Sequence, residues 1–88
     1  PIEYELMAAY PNPFNPVTNI EYGLVEYTNV QIVIFDLAGK QVEILINEFQ
    51  AAGYHSVVWN ASNYPSGVYF VKMITDEYVN TEKLMLVK

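Results

Sequence analysis

The chain contains no cysteine, no arginine and a single histidine among its 88 residues. Without cysteine, neither a disulfide framework nor a thiolate zinc site is available. The chain has four lysines and ten acidic residues, so its net charge is −6. Binding to nucleic acid or to an anionic membrane surface needs clustered positive charge. The composition therefore argues against a nucleic-acid partner and against a protein held on acidic lipids.

Long apolar runs and catalytic groupings are also missing. No stretch approaches the roughly 18 apolar residues that a membrane-spanning helix needs, so we expect no membrane insertion. His55 is the only histidine, the sequence shows no recognisable nucleophile–base pair, and a lone histidine supports catalysis poorly. Asp76–Asn80 offers two or three oxygens to a calcium ion, fewer than a calcium loop supplies, and a solvated turn is favoured there. We expect no enzyme activity, no cofactor and no metal site.

The length fits one domain spanning residues 1–88, with one core and too little chain for a deep cleft. Residues 1–9 are expected to be a linker or a first strand. Because the chain starts at Pro1 rather than at methionine and carries no signal peptide, we expect a fragment or processed product of a longer protein.

Residues that favour β-strands dominate the rest of the sequence. Thr18–Val25 alternates, with Ile20, Tyr22 and Leu24 predicted to face the core. Val30–Asp36 also alternates, but its outward side (Gln31, Val33 and Phe35) is unusually apolar, which suggests that something covers it. Further strands are predicted near Tyr4–Met7 and over Gln41–Asn47, Tyr54–Trp59, Val68–Thr75 and Asn80–Lys88.

Turn residues separate these segments. Asp36–Gly39 has aspartate first and glycine last, as in a type I turn with a left-handed final residue. Glu48–Gly53 is expected to be a connection, with or without one helical turn. Strands spaced 8–12 residues apart with turn signals between them are typical of a sandwich. We therefore predict an all-β, Ig-like sandwich of about seven antiparallel strands.

The segment Tyr10–Pro16, YPNPFNP, fits neither a helix nor a central strand. Proline cannot donate a backbone hydrogen bond, so it is confined to loops, strand starts and edges. We predict a stiff loop that protects an edge, in which Phe14 closes one end of the core and the asparagines bond to local backbone. A direct role in recognition is the alternative.

Eight tyrosines and one tryptophan raise the possibility of sugar binding, because flat aromatic rings stack on sugars. Trp59 alternates with Val57 in a predicted strand, which favours a position in the core. Five tyrosines at strand ends or in loops are candidates for an exposed strip: Tyr10, Tyr27, Tyr54, Tyr64 and Tyr78.

Taken in order, five motifs resemble one known family, the type A C-terminal sorting domain of type IX secretion cargo proteins. They are YPNPFNPVTNIEYGL, VQIVIFDLAGKQV, AAGYHSVVW, SGVYFVKMIT and the final KLMLVK. Together they cover the chain from about Tyr10 to Lys88. The family occurs in Bacteroidetes and related Gram-negative phyla.

The resemblance implies a non-catalytic secretion signal with an Ig-like fold at the C-terminus of a cargo protein. Cargo of this family enters the periplasm through its own signal peptide and then crosses the outer-membrane translocon. A sortase-like peptidase removes the sorting domain, and the cargo stays on the cell surface or enters the medium. The implied partners are therefore the translocon, the peptidase and an upstream cargo domain.

The resemblance also implies a set of recognition residues. Lys40 stands where the family often has arginine, which keeps the charge but loses bidentate geometry. The implied residues are Pro11, Asn12, Pro13, Asp36, Gly39, Gly67, Tyr69, Lys83, Met85, Leu86, Val87 and Lys88.

A second interpretation remains open. The same pattern resembles the Ig-like domain of flagellar hook-capping proteins and accessory modules of glycoside hydrolases, and a fold does not fix a function. A carbohydrate- or protein-binding module would work at an internal position, whereas a sorting domain must end its protein. The final KLMLVK looks like a true terminus, which favours sorting, and its strand is expected to offer an edge for pairing with a partner strand.

Overall fold

The computed structural model describes residues 1–88 and contains seven strands and no helix. The strands are β1 (Glu5–Leu6), β2 (Val17–Leu24), β3 (Thr28–Asp36), β4 (Gln41–Gln50), β5 (Gly53–Asn60), β6 (Gly67–Ile74) and β7 (Val79–Leu86). They form a three-stranded sheet in the order β1-β2-β5 and a four-stranded sheet in the order β4-β3-β6-β7, with every pairing antiparallel. The prediction of an all-β, Ig-like sandwich of seven strands is confirmed.

The core lies between the two sheets because alternate residues of each strand turn inward. Ile20, Tyr22 and Leu24 of β2 are fully buried, as their spacing predicts. Trp59 is also fully buried, and its ring packs against Phe14 with 5.5 Å between ring centroids. The predictions that Trp59 belongs to the core and that Phe14 closes one end of it are confirmed.

The segment after the β3–β4 turn differs from expectation. β4 continues through Glu48 to Gln50, and Thr28 pairs with Gln50 at the far end of β3. The connection and helical turn expected over Glu48–Gly53 are therefore wrong, because only Ala51 and Ala52 separate β4 from β5. The polar composition misled the prediction: β4 is an edge strand, and an edge strand can extend into solvent with polar side chains.

The proline-rich segment joins the two sheets along the side where β1 and β7 lie. Tyr10 exchanges two backbone hydrogen bonds with Asn19 of β2, and the Pro16 carbonyl accepts one from Ala61. Phe14 then pairs with Leu86 of β7 in a parallel bridge. The peptide bonds before all three prolines are cis. The segment closes that side of the sandwich and covers an edge, as the sequence predicts.

Candidate recognition surface

The residues that the sequence singles out for recognition meet at one end of the four-stranded sheet. Asp36 at the end of β3 lies opposite Tyr69 of β6, and Tyr69 lies opposite Leu84 of β7. We call this end the motif pole. It comprises residues 11–14, the β3–β4 turn at 36–40, residues 66–69 at the start of β6 and residues 83–88.

Asn12 ties the proline-rich segment to the edge of β7. Its side-chain amide donates to the Lys83 carbonyl at 2.8 Å, and its side-chain oxygen accepts from the Met85 amide at 3.0 Å. The expectation that this asparagine bonds to local backbone is wrong, since its partners lie more than 70 positions away. The sequence could not predict this contact, because nothing in the residues around Asn12 or in β7 indicates that the two segments meet.

Backbone bonds extend the same closure towards the end of the chain. The Phe14 amide donates to the Met85 carbonyl at 2.9 Å, and the Val87 amide donates to the Phe14 carbonyl at 3.0 Å. β7 is an edge strand, as expected, but its edge is already paired over these residues. In an antiparallel strand, the backbone N–H and C=O groups of every second residue point to the same side. Those of Thr81 therefore point outward, as those of Met85 do. A free edge for strand addition remains only in the first half of β7.

The β3–β4 turn has the predicted chemistry. The Gly39 amide donates to the Asp36 carbonyl at 3.0 Å, and the Lys40 amide donates to an Asp36 carboxylate oxygen at 2.9 Å. Gly39 has a φ of 85°, a conformation that side chains disfavour. The turn therefore needs both the aspartate and the glycine.

Two shallow clefts open at the motif pole, with volumes of about 270 and 310 Å³. The first is lined by Asn12, Pro13, Lys83 and Met85. The second is lined by residues 36–38 of the turn, by Ser66 of the β5–β6 loop and by residues 67–69 of β6. No other cleft is present in the chain. Both are at or below the small end of pockets that enclose ligands, which suits contact with a protein surface.

The β5–β6 loop contributes contacts that the sequence did not indicate. Ser66 accepts the Lys88 backbone amide at 3.0 Å, and the Ser62 carbonyl accepts the Lys88 ammonium group at 2.7 Å. These two contacts fix the last residue against the loop. Serines in a loop rich in turn formers give no such indication, so only the structure identifies them.

A cluster of aromatic side chains packs against the motif pole from the core side. Trp59 packs against Tyr64 and Tyr69, and the Glu43 carboxylate accepts hydrogen bonds from the Trp59 indole at 3.1 Å and from the Tyr64 hydroxyl at 2.9 Å. Tyr69 donates to the Pro65 carbonyl at 2.6 Å.

Burial raises the pKa of Tyr69, and the nearby Asp36 carboxylate raises it further. Burial also raises the pKa of Tyr64, and the Glu43 carboxylate raises it further.

Burial divides the predicted residues into two groups. Leu86 and Tyr69 are 1% and 4% exposed, so both support the fold from within. Lys83, Met85 and Val87 are exposed and available to a partner. Lys40 and Lys88 are exposed at the same end, so three of the four lysines of an acidic protein lie at the motif pole.

The other candidates do not assemble into a site. His55 lies half-buried on β5, stacked on Tyr22, with no nucleophile among its contacts. No three acidic or histidine side chains converge as metal ligands. No helix of sufficient length and hydropathy to span a membrane is present.

The tyrosines do not form an exposed strip, so that expectation is wrong. Tyr64 packs beside Trp59, and Tyr78 stacks on Tyr4 near the opposite end of the sandwich. Tyr10, Tyr27 and Tyr54 are exposed but lie on different parts of the surface. Trp59 is fully buried, so its ring is not available to a sugar.

The fold defines a class, the small all-β, Ig-like sandwich, and the residues implied for recognition gather at one end of it. Comparison with known protein families identifies the family of this domain. The family model described as secretion system C-terminal sorting domain matches residues 8–88, so the chain belongs to that family. No curated protein matches it in sequence.

One solved structure shares the fold. The crystal structure of CopC from Methylosinus trichosporium OB3b superposes with a TM-score of 0.54, covering 96% of this chain and 91% of that chain. The two sequences are 19% identical. At that level the likeness concerns the fold alone.

Proposed function

We propose that this domain is the recognition signal by which an attached cargo protein passes through the type IX outer-membrane translocon to the cell surface or the medium. The domain acts by being bound, and it performs no chemistry itself. Membership in the sorting-domain family supports the secretion role.

One observation carries the proposal beyond family membership. The twelve residues implied by the resemblance are spread from Pro11 to Lys88, yet the fold gathers them at a single pole. Both clefts of the protein are lined mainly by these residues and their immediate neighbours. A receptor that contacts the motif pole would meet the exposed members of this set at once.

The position of the N-terminus fits an upstream cargo. Glu5 of β1 pairs with Gly23, and Leu24 pairs with Gly53, which places the start of the chain at the end opposite the motif pole. The sandwich is 37 Å along its longest axis. A cargo joined at Pro1 would therefore leave the motif pole free for the translocon, and a sortase-like peptidase would cut near the cargo junction.

The test is an export assay in a bacterium with a type IX system. Residues 1–88 are fused to the C-terminus of a fluorescent protein that carries a periplasmic signal peptide. We expect fluorescence at the surface or in the medium in the competent strain, and retention in the periplasm of a translocon-deficient strain. Equal retention in both strains, with the domain folded, would contradict the proposal.

Point variants then map the recognition. Lys83→Ala and Val87→Ala change exposed side chains without opening the core, so we expect folded proteins with reduced export. Val58→Ala on the three-stranded sheet is the control, since this valine is 58% exposed on the outward face of the other sheet and is not among the implied recognition residues. Loss of export by the control to the same degree would show that the motif pole has no special role.

A further inference from the structure

The four-stranded sheet has an outward face that is unusually apolar for a sheet exposed to solvent. We call it the outer sheet face; its side chains come from alternate positions of β3, β4, β6 and β7 and point away from the core. Six of its apolar members lie together across the strands; Val33 is covered by its neighbours, Ile44 and Val79 are exposed, and the others are half-buried: Val33, Phe35, Ile44, Phe70, Ile74 and Val79. Antiparallel sheets with one solvated face normally carry polar residues there.

The charges on this face have one sign. Lys72 pairs with Val33 and Thr81, and Lys83 pairs with Phe70. The Lys72 ammonium group lies 5.9 Å from the centre of the Phe35 ring. No carboxylate occupies any register position of the outer sheet face. In a protein of net charge −6, this face is both apolar and locally cationic.

The outward face of the three-stranded sheet has a different composition. There Asn19 pairs with Val58, and Glu21 pairs with Ser56. Two carboxylates, Glu5 and Glu21, also lie on this face, beside the exposed side chains of Val17, Tyr54 and Val58. The outer sheet face is therefore set apart by its combination of apolar side chains and lysines without any carboxylate.

We propose that the outer sheet face docks onto a protein surface of the secretion machinery that combines apolar side chains with carboxylates. The inference rests on the proposed function and adds the second surface through which the domain is held. Apolar contact supplies affinity, and carboxylates facing Lys72 and Lys83 supply orientation and choice of partner.

A second copy of the chain fits this face poorly. Four strands about 4.8 Å apart and about 26 Å long present on the order of 500 Å², whereas a stable interface buries about 800 Å² on each partner. Two copies placed face to face would also bring lysines together with no carboxylate between them. The size suits a transient encounter, which is what transport requires.

An anionic membrane fits poorly as well. Two lysines near a lipid surface are worth only about 2 kcal/mol, and lipid-binding segments use clusters of four or more. The remaining surface of this protein is acidic and would be repelled. Charge complementarity therefore favours an acidic protein surface.

The test uses the export assay with variants of the outer sheet face. Ile44→Glu places a carboxylate on a residue that is 51% exposed, and Lys72→Glu reverses one of the two charges. Val58→Glu is the matched control on the other sheet, and Lys72→Arg keeps the charge. Unfolding midpoints are measured for every variant, so that export is compared only among folded proteins.

We expect Ile44→Glu and Lys72→Glu to lower the exported fraction at least fivefold, while Val58→Glu and Lys72→Arg export like the parent. Equal export by all four folded variants would overturn the inference. If the parent itself is not exported, the proposed function fails instead. The two failures are therefore distinguishable.

A second measurement does not depend on the stability of charged variants. A photo-crosslinking amino acid is placed at Val79, which is 59% exposed on the outer sheet face, or at Val58, which is 58% exposed on the other sheet. In export-competent cells we expect a product with an outer-membrane secretion protein, identified by mass spectrometry, only from position 79. No such product, or equal products from both positions, would overturn the inference.

Two further controls decide between occupants. If the purified chain binds phosphatidylglycerol vesicles and Lys72→Glu abolishes that binding, the face is a membrane surface and the proposal is wrong. If sedimentation shows a dimer that Ile44→Glu dissociates, the occupant is a second copy and the proposal is again wrong. A monomer that ignores the vesicles supports an acidic protein partner.

Discussion

Asn12 closes one side of the sandwich with a single side chain. Its amide group donates to one residue of β7 and accepts from another. These are the two hydrogen bonds that a residue of a neighbouring strand would make there. Aspartate could accept in this position but could not donate, and alanine could do neither. The residue therefore has a structural role at the edge of β7, beside any contact that it makes with a receptor.

We expect Asn12→Ala to lower the free energy of unfolding by about 1–2 kcal/mol, because two hydrogen bonds are lost. Denaturant unfolding followed by tryptophan fluorescence measures the change. Asn19→Ala is the matched control, since the Asn19 side chain makes only one long, exposed contact at 3.4 Å with Glu21. Similar losses from both substitutions would contradict a special role for Asn12.

At the scale of the strand, β7 combines a structural side with an accessible one. Leu84 and Leu86 face the core and are almost fully buried, whereas Met85 and Val87 are 40% and 52% exposed. Deleting residues 85–88 would therefore remove core packing together with the recognition motif. Loss of export after such a deletion would not separate recognition from folding, and point substitutions are the better test.

We expect Leu86→Ala to lower the free energy of unfolding by about 2–4 kcal/mol, since a buried leucine leaves a cavity. Val87→Ala should change it by less than about 0.5 kcal/mol, since this side chain is half in solvent. Thermal and denaturant unfolding of both proteins measure the difference. Equal losses would show that the end of β7 does not belong to the core.

The strands themselves were predictable because alternation is a local signal. Ile20, Tyr22 and Leu24 recur at every second position, and the sheet geometry requires that spacing on a buried face. The length of β4 was not predictable, because an edge strand needs few apolar residues. The pairing of Asn12 with β7 was also hidden, since it depends on where two distant segments meet. The site residues came from the resemblance, and their convergence required the fold.

At the scale of the whole molecule, the charges are separated along the long axis. Three lysines lie at the motif pole, and several carboxylates, including Glu3, Glu26, Asp76 and Glu77, lie towards the other end. Such a distribution orients a protein before contact, and its effect weakens as salt screens the field. With Asp36 as the carboxylate of its turn, the motif pole is still less acidic than the other end, and in the proposed role it would lead towards an acidic receptor.

Tyrosine ionisation should limit stability in alkali. Burial raises the pKa of Tyr22, Tyr64 and Tyr69 above the usual value of about 10. A group whose pKa is higher when folded contributes stability that is complete below the unfolded pKa and is lost as the pH rises through the folded pKa. We expect the free energy of unfolding to be steady to about pH 9 and to fall above about pH 10.

Denaturant unfolding at several pH values, with phenolate absorbance followed in parallel, measures this effect. Tyr22→Phe removes one of these three phenols, so its decline above about pH 10 should be shallower than that of the parent protein. A parent whose stability stays constant to about pH 11.5 would contradict the expectation.

The closure between Asn12 and β7 has a consequence for the order of biosynthesis. A ribosome makes the proline-rich segment early and β7 last among the strands, so the hydrogen bonds that build the motif pole form only after nearly the whole domain has been translated. A cargo chain cut short by an early stop would never display the assembled pole. In the proposed sorting role, the same contact that seals the sandwich would mark a chain whose last strand has been made.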